Sequence, residues 1–149
     1  MEKYLQMEEL MPLIRERLAG GQNVKFTPQG ISMLPMLRPG RDSVLLAPVP
    51  EKLKRYDVVL YQRADGKYVL HRIVDVGDSY TCMGDNQFTP ETGLHKAQII
   101  AVVTAFFRDE RKYGVLAPGY RLYCRFWHYS RPVRWLWRKC GGRLWRHLQ

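Results

Sequence analysis

Two side chains in this sequence have types that could do covalent chemistry together. Ser32 sits in "GISMLPML", residues 30–37, and His71 sits in "YVLHRIVDV", flanked by Val69, Leu70, Ile73 and Val74. A serine hydroxyl is a weak nucleophile at neutral pH and needs a base within hydrogen-bond reach. Neutral imidazole, with an ordinary pKa of about 6.5, can take that proton. Gly30 would let the backbone turn tightly and let a substrate come close, and amide groups around Ser32 would serve as an oxyanion hole. The chemistry such a pair supports is acyl transfer. Either residue alone has a simpler reading: serine after glycine is a common turn-former, and a strand histidine is commonly a half-buried sheet residue.

The elements that must bring the pair together are legible in the pattern of apolar residues. Leu10, Leu13, Ile14 and Leu18 recur at helical spacing, with Gly20 and Gly21 placed to end the run, which predicts an amphipathic helix over 3–19 in which Pro12 caps or kinks the chain. From Val24 to Phe107 the pattern changes to short β-rich segments: "NVKFTP", "SVLLAPV", "DVVLYQR", "YVLHRIVDV", "SYTCMG" and "QIIAVVTAFF". Pro, Gly and Asp turns separate them. Asp65-Gly66 in "RADGKY" is a hairpin signal, so the strands on either side of it should pair. The expected organisation is an N-terminal helix over 1–21, a β domain over 22–117 and a tail over 118–149.

Four segments in order, "GISMLPML", "RYDVVLYQ", "YVLHRIVDV" and "MGDNQ", resemble the boxes of the signal peptidase superfamily of serine proteases. The resemblance covers about residues 24–107 and is closest to the endoplasmic-reticulum-type branch, in which histidine stands where other members have lysine. It implies a mainly β fold, a sheet or partly open barrel. It also implies Ser32 as nucleophile, His71 as general base and Asp85 of "GDN" as the acid that orients or supports the site, with Glu91 as the second candidate for that role. The substrate would bind as an extended strand, and no metal or cofactor is required. Met33, Leu34, Met36 and Leu37 would line its pocket or pack beside it, and Lys67 reads as a solvated strand residue. The sequence departs from the family's Gly-Asp pairs: Arg41 separates Gly40 from Asp42, and Tyr56 stands before Asp57.

Charge is unevenly spread. All 14 acidic residues and 16 of the 24 Lys and Arg lie in 1–119, leaving +2 there and +8 in the last thirty residues. Those thirty residues also hold all 4 tryptophans. Tryptophan and arginine together favour a bilayer interface, so residues 120–149 are expected to meet an anionic membrane surface. Docking on the protein's own domain or on a partner is the second reading, and nucleic acid is the least favoured partner. Pro132 and Gly141-Gly142 should divide the tail into short pieces, giving two brief helices and not one long one.

The longest apolar run, "IIAVVTAFF" at 99–107, falls far short of the roughly 20 residues of a spanning helix. The charged amino terminus is not a secretory h-region. The expected location is therefore peripheral to a membrane or cytoplasmic. Cys82, Cys124 and Cys140 have neither disulfide nor zinc spacing and read as free thiols. Two functions compete: a Ser/His endopeptidase processing a signal or leader segment, and a non-catalytic module that attaches through its basic aromatic tail.

Overall fold

A computed structural model describes residues 7–144, with side chains through Cys140; residues 3–6 of the expected helix and Trp145, Arg146 and His147 of the tail lie outside the described residues. The chain divides into two compact units, 1–115 and 116–149. The N-terminal helix therefore belongs with the sheet, and the second unit begins two residues before the expected boundary at 118.

Helix α1 (Met7–Ala19) runs through Pro12 and carries Glu8 and Glu9 in its first turn and Arg17 in its last, charges that complement its dipole. It buries Met11, Ile14 and Leu18, while Leu13, expected on that face, points outward. Gly21, at φ 73°, ends the helix as expected: it adopts the left-handed conformation while its amide bonds to the Leu18 carbonyl.

The first unit is an open antiparallel sheet of eight strands. These are β1 (Val24–Phe26), β2 (Ser43–Ala47), β3 (Val58–Gln62), β4 (Tyr68–Val76), β5 (Tyr80–Met83), β6 (Glu91–Leu94), β7 (Ile99–Arg108) and β8 (Arg111–Gly114). Their order is β1-β2-β7-β3-β4-β5-β6, and β8 pairs with the last part of β7. The hairpin at Asp65-Gly66 is present, with Gly66 at φ 88° and Val59 opposite His71. Central β3 is buried on both faces from Val58 through Tyr61, which is why its apolar run is unbroken rather than alternating. One core gathers Val59, Tyr61, Ile73, Cys82, Ile99 and Val102.

Two strands, β6 and β8, were not expected from the sequence; every residue of β8 is exposed, so no apolar alternation marks it. The second unit holds α2 (Pro118–Tyr129) and α3 (Arg131–Leu144). The expected break at Gly141-Gly142 does not occur: α3 continues through both glycines to Leu144, and the chain divides at Ser130 ahead of Pro132. Pro132 lies in the first turn of α3, where the ring costs no intrahelical bond. Cys82, Cys124 and Cys140 are free thiols, the first two buried. Among the described residues, no helix is long and apolar enough to cross a membrane.

Candidate active site

Ser32 and His71 line one cleft of about 1100 Å³ in the first unit. Its walls come from α1 (Met7, Leu10), from β1 and the chain after it (Phe26 to Gly30), and from Tyr68 to His71 of β4. Two stretches of strand edge border it. Among the described residues, β1 pairs only with β2, and β4 up to His71 pairs only with β3, because β5 joins β4 from Arg72 onward.

The turn that carries Ser32 is held from three sides. Asn86 donates its amide to the Ser32 carbonyl at 2.8 Å and its side-chain Nδ2 to the Ile31 carbonyl at 3.2 Å. Gly84 lies so close that a Cβ there would stand 2.5 Å from the Ser32 carbonyl oxygen, so only glycine fits. Arg108 donates to the Pro35 and Met36 carbonyls, and the Arg72 guanidinium reaches Met36 Sδ at 3.1 Å. The segment "GDN" thus acts as a clamp on the serine turn. Gly30 proves different from its expected role: its φ is not in the left-handed region and a Cβ would meet nothing within 4 Å, so it leaves space rather than enabling a tight turn. The Ser32 amide has no acceptor among the described residues.

Adjacent strand residues point to opposite faces, and His71-Arg72 uses both. Arg72 donates Nε and Nη2 to the two oxygens of Asp85, both at 2.8 Å, in a pair sealed from solvent. It also donates to the Tyr56 carbonyl. Asp85, the expected supporting acid, is therefore joined to Arg72 and has no hydrogen bond or ion pair with His71. The carboxylate beside the imidazole is Glu91, with Oε1 3.5 Å from Nδ1.

Between them stands Tyr61, which sequence reasoning missed. Because Val59 is opposite His71, Tyr61 is the diagonal neighbour on the same face of β3 and β4. Its hydroxyl donates to Glu91 at 2.8 Å and lies 3.1 Å from His71 Nδ1. Arg63, two residues further along, forms an ion pair with Glu91, Nε donating at 2.9 Å. This pairing holds Glu91 below the usual carboxylate range. Burial, then the bond to Glu91, pushes the Tyr61 phenol up, so it keeps its proton.

Proton bookkeeping assigns the tautomer. The single Tyr61 proton goes to Glu91, so toward His71 the phenol oxygen can only accept. Nδ1 carries hydrogen, and Nε2 is left with its lone pair. Among the described residues, Nε2 has no hydrogen-bond partner. His71 is 1% exposed, and burial pushes its pKa down to about 4, with Glu91 opposing the shift, so it is neutral at physiological pH. No hydrogen bond joins Ser32 Oγ to His71 in this arrangement; the two share the cleft.

Of the four apolar residues around Ser32, Met33 lines the cleft, Met36 and Leu37 are buried and Leu34 is half-buried. Lys67 is exposed in the hairpin turn. Tyr56 adopts φ 79° where the expected family pattern has glycine. Comparison with family models, with curated proteins and with solved structures finds no match for this chain.

Proposed function

We propose that this chain is a serine endopeptidase of signal-peptidase type, cutting an extended signal or leader segment close to a membrane surface. The observation that carries the reading is a single cleft lined by a clamped serine and by a neutral histidine whose Nδ1 is engaged and whose Nε2 has no hydrogen-bond partner among the described residues. A peptide would enter as an added strand along the free edges of β1 and of β4 up to His71.

Ser32 Oγ attacks the scissile carbonyl carbon while His71 Nε2 takes the hydroxyl proton. In this reading the Ser32 amide, which has no acceptor among the described residues, donates to the developing oxyanion. The imidazolium so formed keeps its Nδ1 proton on Tyr61 and lies 3.5 Å from the Glu91 carboxylate, which favours the charge. His71 then gives the Nε2 proton to the leaving amine, and water, deprotonated by the same nitrogen, hydrolyses the acyl-enzyme. Asp85 acts at one remove, by fixing Arg72 and with it the serine turn.

Digesting a peptide library with wild type, Ser32→Ala and His71→Ala proteins tests this. Cleavage by wild type alone is the expected result, and undiminished cleavage by either variant would refute it. A second reading, a non-catalytic module on the same scaffold, is favoured by one observation: Ser32 Oγ and His71 are not hydrogen-bonded. A wild type that cleaves nothing in the library would select it.

A further inference from the structure

Among the described residues, the aromatic, apolar and basic side chains of the second unit include two sets with different uses. One set is internal. Tyr120, Tyr123 and Trp127 stack along α2, with ring centroids 6.1 and 5.9 Å apart. The Arg134 guanidinium of α3 lies 3.7 Å above Trp127, and it donates to the Trp127 carbonyl at 2.7 Å. That ladder joins the two helices.

The other set points outward. Leu122, Phe126 and Tyr129 recur at four- and three-residue spacing on α2, and Leu136 and Trp137 follow Val133 by three and four residues on α3; all six are 56% to 77% exposed. Each helix therefore carries an apolar stripe that the described residues leave uncovered. Exposed cations flank both stripes, Arg121 and Arg125 on α2, Arg138 and Lys139 on α3. No acid occurs after Glu110.

We propose that α2 and α3 lie in the plane of an anionic bilayer surface, each with its apolar stripe at the acyl boundary and its cations among the headgroups. Helices of 12 and 14 residues with this many charges are too short to span, and an interfacial helix pairs an apolar face with a cationic one in this way. Nucleic acid fits less well. Three of the rings best suited to stack on bases are already stacked on one another, and Leu122, Val133 and Leu136 are aliphatic, with no base-stacking face. A lipid surface rewards aliphatic and indole side chains alike.

The test is co-sedimentation of the full chain with vesicles of phosphatidylcholine alone, or of phosphatidylcholine with phosphatidylglycerol, at low and high salt. Circular dichroism of each variant checks its helix content. Wild type should bind the anionic vesicles, bind the neutral ones weakly, and lose affinity with salt. Arg121→Gln with Arg125→Gln should weaken anionic binding about thirtyfold, from the ordinary contribution of a basic residue near such a surface. Leu122→Glu with Phe126→Glu should weaken binding to both vesicle types, and Trp137→Glu likewise. No binding to anionic vesicles, binding unchanged by the glutamates, or tighter capture by a single-stranded oligonucleotide at equal salt would overturn the proposal. Sedimentation needs no catalysis, so the outcome stands apart from the peptidase reading.

Discussion

On one face of β4, Arg72 and Asp85 form a doubly hydrogen-bonded pair closed off from water; on the other, His71 meets Glu91 through the Tyr61 hydroxyl at the wall of an open cleft. Consecutive residues of one strand thus face two carboxylates in two environments. The sealed pair fixes geometry, because two charges without access to water are costly to separate and so hold the serine turn in one place. The bridged pair tunes a proton. Glu91 is partly exposed and already neutralised by Arg63, and it influences His71 through a phenol and a 3.5 Å separation instead of a direct, tight ion pair. Proximity of an acid to the histidine in sequence or in motif does not say which task the acid performs; the partner it meets first does.

Breaking the sealed pair should produce the largest effect. Asp85→Asn strips a buried guanidinium of its carboxylate and should cost about 3–5 kcal/mol of stability, read by chemical denaturation. Activity, measured well below the unfolding transition, should fall because the serine turn loosens.

Breaking the bridged pair should leave stability nearly unchanged and alter the chemistry. Glu91→Gln removes the charge that favours imidazolium, and kcat should drop by about ten- to hundredfold, the equivalent of one or two pKa units, at unchanged KM. Tyr61→Phe takes away the acceptor at Nδ1, lets the other tautomer compete, and should slow kcat by about tenfold or more. The nitrogen chemical shifts of His71 report the tautomer directly, without any substrate.

The pH dependence sharpens the contrast. Burial lowers the folded pKa of His71 to about 4, against opposition from Glu91 and Asp85 and with support from Arg63. Its base form therefore persists to that pH, and the acid limb of kcat/KM should lie near 4 rather than at the ordinary value of about 6.5. The unfolded chain binds a proton on this side chain between about pH 6.5 and 4 that the folded one does not, so stability falls as pH drops through that window. In Glu91→Gln the limb should move lower still, giving a slower but more acid-tolerant protein. A substitution that merely opened the site to water would move it upward.

Tyr56 offers the smallest effect. Its φ of 79° is a conformation glycine adopts freely, and Tyr56→Gly should leave stability equal or raise it by up to about 1 kcal/mol, read as a shift in the denaturation midpoint.

The strands that carry Ser32's clamp and His71 were legible because "DVVLYQR", "YVLHRIVDV" and "QIIAVVTAFF" are long β-rich runs and Asp65-Gly66 marks their hairpin. β6 escaped because "ETGL" is four residues with a central glycine, and it is β6 that brings Glu91 to the histidine. Tyr61 could not be singled out from sequence, since an aromatic in an apolar strand is ordinarily core packing. Only the register that sets Val59 opposite His71 makes it a diagonal neighbour. On α1 the buried position is Met11 and not the expected Leu13, a difference of less than one helical turn that apolar spacing does not resolve.

The most direct test is tandem mass spectrometry of the protein quenched in acid during turnover of a peptide library. A Ser32 nucleophile should appear as an acyl ester on Ser32 in wild type, absent from Ser32→Ala and from His71→Ala, with cleavage lost in both. Cleavage that continues undiminished in Ser32→Ala, or turnover with the ester on another residue, would contradict it.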